Sequence, residues 1–103
     1  MKKKRYGPPF VMLDRATLDS EAWENLTHSE MIAYIYLKKN YNGRNNCDIS
    51  MSYASVGDIF APATLSKALK GLVIKGWIEK SRFGGLHRYY NLYKLTGNHD
   101  KIR

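Results

Sequence analysis

Ala63, Thr64, Ser66, Lys67 and Lys70 recur at the spacing of one helix face. The chemistry open to such a face is binding rather than bond breaking. The hydroxyls of Thr64 and Ser66 can reach phosphates or base edges, and Lys67 and Lys70 can neutralise phosphates or contact guanine. Small side chains at Ala63, Thr64 and Ser66 permit close approach. A second group, Arg82-Phe83-Gly84-Gly85-Leu86-His87-Arg88, sets Arg82, His87 and Arg88 beside a Gly84-Gly85 turn. A third, Lys2-Lys3-Lys4-Arg5, would add sequence-independent phosphate contacts, as basic arms do. Arg44, in an Asn-rich loop, is a weaker candidate of the same kind. Each group also reads as ordinary solvated surface, because Ser, Thr, Lys and Arg are common there.

No comparable grouping supports catalysis. His28, His87 and His99 are scattered along the chain. Cys47 has no His at ligand spacing, and a zinc site needs about four ligands. Paired carboxylates, a phosphate loop and a nucleophile elbow are not found in the sequence. The chain is therefore expected to be non-enzymatic, with no catalytic residue, metal or cofactor and no evident small-molecule ligand.

Charge supports a polyanionic partner. Lys and Arg number 17 against 9 Asp and Glu, a formal net charge of +8. Residues 1–16 carry five basic groups and one acid, and residues 49–103 carry nine basic groups and three acids. Residues 17–48, with three basic groups and five acids, are mildly acidic. Segregation of this kind favours a polyanionic partner, of which nucleic acid is the commonest, and charge alone is equally compatible with simple solubility; an acidic membrane surface is a weaker alternative. A length of 103 residues suits one small domain, and a hydrophobic fraction of 44% can form a core. No apolar run reaches the ~18 residues of a membrane span. Gly7-Pro8-Pro9 interrupts the place where a signal peptide's apolar region would lie, so no secretion signal is expected. The single cysteine rules out an internal disulfide framework and points to the cytoplasm.

The elements that must position these residues can be read in order. Residues 1–9 form a basic arm, 10–96 one domain, and 97–103 a frayed polar tail. Phe10-Val11-Met12-Leu13 is a short extended run. Asp19 is the expected N-cap of a short helix over about 20–25, with Leu18 and Trp23 at staple spacing. Thr27-His28-Ser29-Glu30 fits a capping box opening a helix to about Asn40. Asn40 to Asn46 is turn-forming, and Asp48 to Ser52 alternates like a strand. Ser52 can cap a short helix from Tyr53 to Ile59. Pro62 can begin the helix that carries the first group, with Leu65, Ala68, Leu69 and Leu72 as its apolar stripe. That leaves Gly71 on the outward side, where it either allows close packing or is simply tolerated at a cost of ~1 kcal/mol against Ala. Gly76 sits at C′ and Trp77 at C″, where Trp77 can fold back onto Leu72 in a Schellman motif. Two β-favouring runs around Gly84-Gly85 read as a hairpin. Trp23, Tyr34, Trp77 and Tyr90 are expected in or near the core rather than as a stacking platform.

Residues 64–78, Thr64-Leu65-Ser66-Lys67-Ala68-Leu69-Lys70-Gly71-Leu72-Val73-Ile74-Lys75-Gly76-Trp77-Ile78, resemble the recognition helix and first wing strand of the winged helix-turn-helix superfamily. Arg82 to Arg88 resemble its wing. Tyr41 to Asn46, Ile49 to Tyr53 and Tyr93 to Thr96 are similar to segments of small winged-helix proteins of phages, plasmids and other mobile elements, some of them replication-initiator-like. The resemblance implies an α+β winged helix-turn-helix, a three-helix core with a short strand and a β-hairpin wing, preceded by a short extra helix. It implies sequence-specific binding of double-stranded DNA, as a transcriptional regulator or a replication accessory of a mobile element. Helix 63–75 would enter the major groove, and wing 82–88 would lie on backbone or minor groove. Such proteins often pair, so a homodimer is one arrangement open to this chain. Two other readings stand beside it. One is a winged helix used for protein–protein contact without DNA. The other is an RNA- or single-strand-binding module.

Overall fold

A computed structural model of the chain describes residues 10–41, 49–51, 56–82 and 92–100. Their regular elements are α1 (Arg15–Leu18), α2 (Glu21–Glu24), α3 (His28–Asn40), β1 (Ile49–Ser50), α4 (Pro62–Ile74), β2 (Ile78–Arg82) and β3 (Leu92–Leu95). The result is a small α+β fold.

Helix ends follow local hydrogen-bonding rules, with one correction. The Thr27 hydroxyl accepts from the Glu30 N–H at 3.1 Å, and the Glu30 carboxylate accepts from the Thr27 N–H at 2.8 Å. That is the capping box the spacing requires. Helix α2, however, is capped by Ser20 and not by Asp19. The Ser20 hydroxyl accepts from the Trp23 N–H at 3.2 Å and donates to the Thr17 carbonyl at 2.7 Å. A carboxylate could accept but not donate, and α1 ends one residue earlier, with its C-cap at Asp19. Helix α1 itself, a single turn, was not anticipated from the sequence.

Helix α4 begins at Pro62, where a missing N–H costs nothing, and it is followed by a Schellman motif. Gly76 has φ +86°, its N–H donates to Val73 at 3.1 Å, and the Trp77 N–H donates to Leu72 at 3.0 Å. The expected short helix before α4 is seen at its end. Phe60 donates to the Val56 carbonyl at 3.0 Å, while 52–55 lie outside the described residues.

The three strands form an antiparallel sheet in the order β1-β3-β2. Ile49 lies opposite Tyr93 and Ile78 opposite Leu95, which puts the apolar positions of all three strands on one face. That face, with Leu37 of α3 and Leu72 of α4, forms a continuous core. Beside it Trp23, Tyr34 and Trp77 meet edge to face, with ring centroids 5.1–6.2 Å apart. Edge contacts of this kind contribute roughly 0.5–1.5 kcal/mol each beyond area burial. All three rings are core residues, as expected; Tyr90 lies outside the described residues. Among the described residues, no helix is long and apolar enough to cross a membrane.

Residues 97–100, expected as part of a frayed tail, pack against the domain instead. Asp100 is buried and accepts from the Thr17 hydroxyl at 2.9 Å, the Tyr34 phenol at 2.6 Å and the Lys38 ammonium at 2.6 Å. Lys38 also donates to the Met12 carbonyl. A buried carboxylate requires such partners, and here α1 and α3 supply them. Burial, then the hydrogen bond to Asp100 and its charge, raise the Tyr34 pKa and hold the phenol protonated. Asp100→Ala would remove the carboxylate that Lys38, Tyr34 and Thr17 share. Its expected cost is about 3–5 kcal/mol, the range for halving a buried ion pair, read as a lowered urea midpoint.

Candidate functional site

Successive helical residues turn by about 100°, so Ala63, Lys67, Lys70 and Ile74 line one stripe of α4. Opposite it Leu65, Ala68, Leu69 and Leu72 are buried in the core. Ala63, Thr64, Ser66, Lys67 and Lys70 are all exposed, as their spacing predicts. The stripe is polar and cationic only as far as Lys70. Ile74, 83% exposed, closes it with an apolar side chain. At the other end Ala61 offers no side-chain cap, and the first turn holds no acid. The partial positive charge of this helix end is therefore not countered by its own first turn.

Ion pairing separates the lysines of this region. Lys75 donates to Glu30 at 2.7 Å and to the Asn25 carbonyl at 2.9 Å. The other described ion pair joins Lys38 to Asp100 at 2.6 Å. Lys67 and Lys70 belong to neither pair.

Gly71 corrects a sequence-based expectation. It does not face outward but lies against α3. A Cβ built on it would come within 1.9 Å of Glu30 Oε2 and 2.9 Å of Glu30 Cδ. The glycine therefore leaves room for the carboxylate that starts α3 and pairs with Lys75. Burial pushes the Glu30 carboxyl upward, but Lys75 and Thr27 outweigh it, and the net pKa lies below the ordinary glutamate value.

The carboxy-terminal segment holds the other end of α4. Thr96 Oγ1 and Asn98 Nδ2 donate to the Gly76 carbonyl at 2.7 and 3.1 Å. His99 Nε2 lies 3.2 Å from the Lys75 carbonyl, a contact in which the ring N–H donates. The His99 ring also sits 4.9 Å from that of Trp77. These residues position the helix, and the sequence offered no signal for them beyond their polarity.

The remaining candidates are only partly visible. The Arg82 backbone ends β2 opposite Leu92, just after an irregularity between Lys80 and Arg82. Gly84, Gly85, His87, Arg88 and the arm residues Lys2, Lys3, Lys4 and Arg5 lie outside the described residues, as do Arg44 and Cys47. Among the described residues, no group of three or more His, Cys, Asp or Glu is placed to hold a metal ion. Comparison with protein-family models, curated proteins and solved structures finds no match.

Two outcomes are expected from the Glu30–Gly71–Lys75 contact. Ala is a better helix former than Gly by ~1 kcal/mol, yet Gly71→Ala should destabilise the fold by about 1–3 kcal/mol in urea. Adding Glu30→Ala to that variant should recover part of the loss. The second outcome concerns acid. Because the folded pKa of Glu30 is depressed, its contribution is complete above the ordinary glutamate value. It declines as pH falls from there through the lower folded value, so Glu30→Gln should flatten the acid limb of urea midpoint against pH.

Proposed function

We propose that this chain is a winged-helix protein that binds double-stranded DNA, with α4 in the major groove and the β2–β3 hairpin as the wing. The observation that carries the reading is the two-sided character of α4. One side is committed to the core. The other presents Ala63, Thr64, Ser66, Lys67 and Lys70 to solvent, close to an uncapped helix start. A helix with small residues near its amino-terminal end and cations beyond them suits insertion between two phosphate ridges.

The element order supports the same reading. A helix, a short strand, a turn at 56–60, a longer helix and two antiparallel strands follow one another, and the short strand joins the sheet through β3. The +8 charge supplies long-range attraction, and its excess lies in the arm and the carboxy-terminal half. Single-strand stacking has less support among the described residues, where Trp23, Tyr34, Trp77 and Tyr93 are buried, Tyr36 and Tyr41 are half-buried and Phe10 is exposed. A role in transcription or in replication of a mobile element, and a cytoplasmic setting, rest on the resemblance of residues 64–78 and 82–88.

A salt titration on duplex DNA tests this reading. Log affinity should fall steeply with log salt concentration if several phosphates are engaged. Lys67→Ala and Lys70→Ala should each weaken binding and reduce the salt slope by about one. An unchanged slope in both variants would remove α4 from the interface. Tighter binding to single strands than to duplex would favour the alternative.

A further inference from the structure

The start of α4 exposes apolar side chains where helix stability does not call for them. Phe60 and Leu65 occupy the two staple positions, N′ and N4, and both are buried. Turning Phe60 inward leaves its neighbours Ile59 and Ala61 outside, with Ile59 46% exposed. Pro62 and Ala63, in the first turn, are exposed as well. Pro62 suits its position, but Ala61 is a poor N-cap beside Ser, Thr, Asp or Asn. An apolar tip thus stands in water at the end of a polar, cationic helix face.

Resting on the duplex-binding proposal, we infer that this tip, Ile59 with Ala61, Pro62 and Ala63, packs against the C5-methyl groups of thymine in the major groove. There thymine is marked by its methyl, which apolar side chains contact. Charge favours bases over backbone at this point. Asp58, exposed beside Ile59, repels a phosphate there. The cations come later on the same helix. Lys67 lies one turn and Lys70 two turns beyond Ala63, about 6 and 10 Å along the axis. An apolar tip followed by cations matches a groove whose floor carries methyls and whose rims carry phosphates. A purely apolar partner would gain nothing from Lys67 and Lys70, which share the stripe with Ala63.

Uracil differs from thymine only by that methyl. The test compares binding of the full chain to a fluorescent duplex of mixed sequence and to its copy with every thymine replaced by deoxyuridine, at one salt concentration. Hydrogen-bonding edges and phosphates are the same in both. Losing one contacted methyl costs about fourfold in affinity, so one or two contacts predict a loss of roughly four- to sixteenfold. Ile59→Ser and Ala63→Ser, both at exposed positions, should bring that ratio toward one with the salt slope unchanged. Equal affinity of the native chain for the two duplexes would overturn the inference and leave duplex binding intact. So would a ratio that persists in both variants, because the methyl would then be met elsewhere on the chain. A change of oligomeric state in Ile59→Ser with no change in the ratio would make the tip a contact between copies instead. Failure to bind any duplex at low salt would overturn both readings.

Discussion

The Glu30 carboxylate is the constraint on which the placement of α4 depends. One side chain closes the capping box of α3, accepts from Lys75, and fills the space left by the absent Cβ of Gly71. An ordinary helix–helix contact tolerates some sliding, because apolar side chains re-pack at modest cost. A carboxylate wedged against backbone does not. It must keep its donors, the Thr27 N–H at the start of α3 and the Lys75 ammonium just past the end of α4. The rotation of α4 about its axis follows from this contact and from the burial of Leu65, Ala68, Leu69 and Leu72. That rotation decides which residues reach solvent.

The far end of α4 is held by a different chemistry. The carbonyls of Lys75 and Gly76, just past its end, accept from Thr96, Asn98 and His99, while Asp100 gathers Thr17, Tyr34 and Lys38. A short carboxy-terminal segment thus ties the end of α4 to α1 and α3. In a chain this small the apolar core is limited, so a satisfied buried polar cluster contributes substantially to defining one arrangement. The aromatic triad of Trp23, Tyr34 and Trp77 lies between these two polar anchors. Trp77 participates in both the Schellman turn and a tilted ring contact with His99.

With both ends fixed, charge becomes organised by elimination. Lys38 and Lys75 are committed to carboxylates inside the structure. Lys67 and Lys70 are left on the solvent side of α4, beyond a run of small residues. These four lysines thus divide into two with a structural duty and two facing outward. The second kind is the basis of the proposal that α4 meets a polyanion.

Much of this was legible from the sequence wherever the determining contact is local. The capping box at Thr27, Pro62 at the start of α4, its apolar stripe, and the turn at Gly76 all depend on partners within about five residues. Hydrogen-bond geometry at that range is set by the backbone itself. The exposure of Ala63, Thr64, Ser66, Lys67 and Lys70 follows from the same stripe. Asp19 against Ser20 is a near miss, decided by the preceding turn, which runs to Leu18 and uses Asp19 as its own C-cap. Only the tertiary structure decided the rest. Asp100 meets partners 62 to 83 residues away, and Glu30 meets Lys75 across 45. No spacing rule encodes such pairs, because which polar group is buried, and beside which donor, depends on how the helices have already packed. Gly71 reads from the sequence as outward-facing, either tolerated or allowing close packing; close packing is the outcome, because Glu30 fills the space, but on the α3 side.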